Sequence, residues 1–255
     1  MADKPLMTNQ TMTQTENTAP TPKPFKNSLW KYLLELITVI FGVYIGFMAN
    51  KYHETQKEHR YTQTVIKEMY QSLGSDIADA SENLNGHKKG LTSVEYFFKI
   101  AEDKPVSTDT FGQYLLELTR SFLSIQNTAP FEALKSTSLN VITNDSLRTK
   151  IVHLYDFQYD ILEKVEEQYP ESNLTERYYH DIVGILDKGL VLGESGKIMA
   201  VRNPLPISQE EKVRLFLHLR KIRYARWFNI SVYQTVIAEM EALRGALKAE
   251  YHYLR

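Results

Sequence analysis

Apolar positions in this chain form one long uncharged run, followed by stretches of helical periodicity. The run lies within Leu29 to Glu54, LWKYLLELITVIFGVYIGFMANKYHE, and is free of charge from Leu36 to Ala49. A membrane-spanning helix needs roughly 20 mostly apolar residues. The segment reaches that length if Glu35 lies near one interface, Lys31 extends outward, and Trp30 and Tyr32 sit at headgroup level. Lys51 and Tyr52 mark the other interface. The best cleavage position for a signal peptide, after Ala49, has bulky Phe47 where a small residue is expected, so residues 29–52 are read as an uncleaved transmembrane anchor.

Beyond the anchor, Ile66, Tyr70, Leu73, Ile77, Ala80, Leu84, His87, Leu91, Val94 and Phe98 recur at alternating steps of three and four. That spacing is the seam of a helix packed on one side, and it predicts that the anchor helix continues without a break. Gly74, Gly86 and Gly90 each cost up to about 1 kcal/mol relative to alanine, which allows a kink near Asn85. Pro105 ends the element. Thr108 or Asp109 then caps a helix whose face is Phe111, Tyr114, Leu115, Leu118 and Phe122. Thr128 and Pro130 open a short helix through Lys135. The next helix starts at Asn144 or Asp145, carries Leu147, Ile151, Leu154, Gln158, Ile161 or Leu162, and Val165, and kinks or breaks at Pro170. GLVLGESGKIMAV, after Leu186, reads as a small hairpin. Ser208 and Glu211 form a capping box for a final long helix through Leu219, Tyr233, Met240 and Leu247. The predicted fold is all-α: a single N-terminal transmembrane helix continuing into a long-helix antiparallel bundle, residues 53–255, with one small β-hairpin.

Two stretches resemble a domain-of-unknown-function family of single-span helical envelope proteins common in Bacteroidota. The anchor is similar through Glu35, Gly42, Asn50 and Glu54, which keep the family's spacing, while Lys51, Tyr52 and His53 replace its Asn-Trp-Asn. The second stretch is FEALKSTSLNVITNDSLRTKI, similar through Leu134, Lys135, Ser136, Leu139, Ile142, Asn144, Leu147, Arg148 and Ile151, with Ser138 in place of a glycine. The resemblance implies a basic N-terminal flank kept inside, with most of the chain in the periplasm as a single-pass protein of the bacterial inner membrane. It implies no activity.

Charge alone leaves orientation open, because Lys23, Lys26 and Lys31 before the anchor are matched by Lys51, Lys57 and Arg60 after it. Residues 1–28 are rich in Thr, Pro, Asn and Gln and read as a disordered tail. The 255 residues suffice for one sizeable core, and a formal net charge of −1 argues against general affinity for nucleic acid. The absence of cysteine rules out disulfides, thiolate metal sites and a cysteine nucleophile.

Candidate chemistry is sparse. GESGK lacks the first glycine and the final hydroxyl residue of a phosphate loop, with Val191 and Ile198 in those places, and reads as a turn. His53, Glu54, Glu58 and His59 lack the paired spacing that would put two imidazoles on one helical face, so no metal and no cofactor is expected. Glu176, His180 and Asp181 have no nucleophile or oxyanion hole marked beside them. Lys212, Arg214, Arg220, Lys221, Arg223 and Arg226, interleaved with Tyr224 and Trp227, read as a solvated, salt-bridged helix. Asn173-Leu-Thr and Asn229-Ile-Ser are taken as chance glycosylation patterns.

The leading expectation is therefore a structural or protein-interaction module, non-enzymatic, whose partners are the lipid bilayer and another envelope protein or a second copy. A sensor-like ligand-binding bundle and an envelope enzyme are the alternatives. Glu35, Gly42 and Gly46 are the candidate packing residues of the anchor, since small residues four apart let two helices approach closely. Lys135, Asn144 and Arg148 are expected at a structural corner or partner contact, Asn144 capping the following helix and Lys135 or Arg148 meeting carboxylates or carbonyls.

Overall fold

The computed structural model describes residues 26–254, and side chains from Leu29 onward. The tail expected at residues 1–28 lies outside the described residues except for its last three, which are helical. Two compact units meet at Lys57 and Glu58.

The first unit holds the start of helix α1, Lys26–Ala101. Residues 29–55 are all exposed, and mean hydropathy reaches 1.9 over an 18-residue window. By length and composition this helix can cross a membrane: at roughly 1.5 Å per residue, Leu29 to Ala49 covers about 30 Å. Glu35, Gly42 and Gly46 lie on that exposed surface, and a Cβ added to either glycine would meet nothing within 4 Å.

The second unit is a helical bundle with one hairpin. Its helices are the rest of α1, α2 (Phe111–Thr119), α3 (Ala129–Thr137), α4 (Asp145–His153), α5 (Tyr159–Glu163), α6 (Leu174–Leu186) and α7 (Gln209–Glu250). Strands β1 (Leu190–Leu192) and β2 (Ile198–Val201) pair antiparallel between α6 and α7. Between them the GESGK segment makes a tight turn in which Gly196 adopts φ +74°, a left-handed backbone that suits glycine. Pro170 ends the helical run that starts at Asp145, as its missing N–H requires. Ser208 and Glu211 make the reciprocal capping box that starts α7.

Two expectations about local structure are corrected. Thr110, and not Thr108 or Asp109, occupies the N-cap position of α2, and its side chain makes no capping bond. Phe122 belongs to no helix: α2 stops at Thr119, and residues 120–128 form no regular secondary structure. Phe122, Ser124 and Gln126 are half-buried in this strap while Leu123 and Ile125 are exposed, an alternation with the period of a strand.

Helices α1 and α7 run antiparallel through two apolar cores. One core joins Ile66, Met69 and Leu73 of α1 to Phe131 of α3, Ile151 of α4, and Val236, Met240 and Leu247 of α7. The other joins Val94, Phe97 and Ile100 of α1 to Phe111 and Leu118 of α2, Ile182 of α6, and Leu215 and Leu219 of α7. Between the cores in sequence lies a buried polar layer, with Asp76 and His87 from α1 and Arg226 and Asn229 from α7. The strap is fastened to this layer.

Candidate interaction site

Lys135, Asn144 and Arg148 stand around one corner of the bundle. Ser138 ends α3, and its hydroxyl accepts from the Asn140 N–H at 3.1 Å, starting a short 3-10 turn over Leu139–Val141. Asn144 then caps α4, its Oδ1 accepting from the Leu147 N–H at 3.1 Å while its amide donates to Glu250 of α7 at 2.8 Å. Arg148 donates to the Ile142 carbonyl at 3.0 Å and to the Asp145 carboxylate at 2.6 Å. Lys135 reaches Asp156 at 3.2 Å and sits 5.0 Å from the centroid of the Phe131 ring.

An open groove of about 630 Å³ lies along this corner. Leu139, Val152 and Phe157 give it an apolar lining, with Arg148, His153 and Asp156 as polar groups. α4 widens into a π-helical turn at Leu154–Gln158, and Phe157, 51% exposed, stands on that turn stacked 5.2 Å from the His153 ring. Such π segments are often found at functional sites. The arrangement offers apolar area beside a guanidinium, an imidazole and a carboxylate, which suits an amphipathic segment better than bond-making chemistry.

The polar layer was not legible as a site in the sequence. Arg226, read there as a solvated cation, is fully buried. Its Nη2 donates to the carbonyls of Glu117, Leu118 and Arg120 at 3.1, 3.2 and 2.7 Å, and its Nη1 lies 3.0 Å from His87 Nδ1. Carbonyls in the last turn of a helix lack intrahelical partners and carry its negative dipole end, so Arg226 caps α2 from a distant helix. Burial lowers its pKa to about 10, leaving it charged at neutral pH. Burial, and then the Arg226 charge, lowers His87 to about 3. His87 is therefore neutral, and Nδ1 accepts from the guanidinium.

Carboxylates hold the rest of the strap. The N–H groups of Ser124, Ile125 and Asn127 donate to Glu166 at 3.0 Å, Asp79 at 3.1 Å and Asp76 at 3.2 Å. Asp76 also accepts from Tyr159 at 2.8 Å, and Glu166 from the Tyr233 hydroxyl. Burial raises Asp76, and raises Glu166 to about 7. Every one of these carboxylates is used on the chain's own donors, and this layer is an assembly device. The signal that could have found it is a second stripe on α1 at steps of three and four: Asp76, Asp79, Asn83, Gly86, Gly90, Ser93 and Phe97. All but its last member, Phe97, are polar or small, so a search for apolar periodicity passes over them.

The other sequence candidates stay apart. His53, Glu54 and His59 are exposed, and among the described residues no group of three or more His, Cys, Asp or Glu is placed to hold a metal. Asp181 pairs with His218 at 3.3 Å, whereas His180 stacks edge-on with Tyr179. Asn229, in one chance glycosylation pattern, is buried and donates to the Ala225 carbonyl at 2.8 Å. Comparison with protein-family models, with curated proteins and with solved structures finds no match to this chain.

Proposed function

We propose that this protein is a membrane-tethered helical module that captures another envelope protein at the Leu139–Phe157 corner, working without catalysis. The observation that carries the reading is the open groove, which places Leu139, Val152 and Phe157 beside Arg148 and Asp156. Contiguous exposed apolar surface rimmed by polar groups marks interaction sites in soluble domains. The exposed apolar start of α1 supports the tether. The resemblance of both the anchor and the corner to single-span envelope proteins supports an inner-membrane location, with residues after Tyr52 in the periplasm.

The test combines topology with capture. A periplasm-dependent reporter following Arg255 is expected to be active, and activity of a cytoplasm-only reporter there reverses the orientation. Val152→Asp, at a half-buried position against the core, with Phe157→Asp, at an exposed one, should cost about 1–3 kcal/mol, leave the chain helical by circular dichroism, and abolish partner crosslinking in native membranes. Crosslinking at the parent level removes the groove as the site.

A second reading, self-association through the anchor, rests on Gly42 and Gly46, where an added Cβ would meet nothing within 4 Å among the described residues. Close backbone approach at small residues is one common route to helix pairing in lipid. Gly42→Ile with Gly46→Ile should abolish anchor-to-anchor crosslinking in membranes while leaving insertion intact. Unchanged crosslinking rejects the pairing.

A further inference from the structure

Helix α7 carries a second seam that no part of the described chain covers. Val213, Leu217, Arg220, Tyr224 and Trp227 follow each other at steps of four, three, four and three, and all are exposed. Val213 is 49% exposed, Leu217 54%, Tyr224 54% and Trp227 50%. The same helix buries Leu215, Leu219 and Ile222 in the bundle core, so this outward row is additional to the face that folds the protein. A free row with coiled-coil spacing, apolar at four of its five positions with Arg220 at the centre, is a surface onto which another helix can pack, since its side chains return to one side every 3.5 residues on average.

The flanks identify the partner's chemistry. The positions bordering the row include Arg214 and Lys221 on one edge and Arg223 on the other. Among the described residues no carboxylate pairs with Arg214, Arg220 or Lys221. Arg223 lies 4.8 Å from the Phe98 ring centroid and 5.3 Å from that of Trp227, and its one carboxylate neighbour among the described residues is Glu95, at 3.5 Å. Charges at these border positions select the partner of a helix pair. A second copy of the same row would set cations against cations in either orientation, which disfavours a self-pair.

We propose that the Val213–Trp227 face of α7 docks an amphipathic helix of a different protein, one whose apolar row is bordered by Asp or Glu. This surface shares no residue with the corner groove and stands without it. The test uses the full chain in nanodiscs of zwitterionic lipid, with Trp30→Phe so that Trp227 is the remaining tryptophan. The probes are two synthetic three-heptad helices with leucine rows, one bordered by Glu and one by Lys.

The Glu-bordered helix is expected to bind saturably, with a blue shift of Trp227 emission, and the Lys-bordered helix is not. Lys221→Glu with Arg223→Glu should weaken the first by about tenfold or more and allow the second to bind. Val152→Asp with Phe157→Asp should leave both results unchanged, which separates failure here from failure of the groove. Absence of saturable binding, or equal binding of both probes, overturns the proposal. A Trp227 blue shift without peptide overturns it too, in favour of lipid if it needs anionic nanodiscs and of self-pairing if it follows protein concentration.

Discussion

Glycine at a single position is decided here by what lies opposite it. Gly74, Gly86 and Gly90 all sit inside α1, where alanine is intrinsically better by about 1 kcal/mol. A Cβ at Gly86 would stand 2.2 Å from the Phe122 ring, and one at Gly90 2.5 Å from Arg226 Nε. At Gly74 it would find only the tip of Arg244, at 3.4 Å. Gly74→Ala is therefore expected to stabilise by up to about 1 kcal/mol, and Gly86→Ala and Gly90→Ala to destabilise by about 1–3 kcal/mol, as read from urea midpoints. A gain from all three would mean that the strap and Arg226 do not seat against α1. The glycines that suggested a kink from sequence thus lie in one uninterrupted helix, where they admit a ring and a guanidinium.

Among the elements, α4 depends on a side chain that serves twice. Asn144 satisfies an orphan N–H of the first turn and also ties α4 to Glu250 near the end of α7. Replacing such a cap by alanine typically costs about 1 kcal/mol. Asn144→Ala should lower the melting temperature by a few degrees, on the order expected for that loss, with partner crosslinking retained. Retained stability with lost crosslinking would make Asn144 part of the binding surface. The strap shows the complementary case, a segment outside any helix or strand. Its backbone N–H groups are taken up by Asp76, Asp79 and Glu166, since buried or half-buried backbone donors need acceptors.

Across the whole molecule, the polar layer makes stability depend on pH in two opposed ways. Glu166 titrates at about 7 when folded and at 4.5 when free, so its contribution is complete below the lower value and is lost as pH rises through the upper one. His87 titrates at about 3 when folded against 6.5 when free, so its contribution is present above 6.5 and is lost as pH falls toward 3. Glu166→Gln, which keeps an acceptor for Tyr233, should gain about 1–2 kcal/mol relative to the parent between about pH 5 and pH 8, allowing for screening of a half-buried carboxyl. Parallel stability profiles for parent and variant across that range would show that Glu166 is charged in the folded state throughout it.

Elements whose signals are local could be read from the order of residues alone. The exposed apolar start of α1, the seam from Ile66 to Phe98, the Ser208 capping box, the Pro170 break and the hairpin after Leu186 each depend on residues within a few turns of one another, and each is present. The Asn144 cap is of the same kind. The places of Arg226, Asp76, Glu166 and the strap follow from packing, because their partners lie far away in the chain: Arg226 is 108 positions from Leu118, and Tyr159 is 83 from Asp76. A lone arginine in a basic run gives the same local signal whether water or a helix end receives its charge. Burial converts that charge from a solvated group into a cap, and burial is a property of how α1, α2 and α7 pack together.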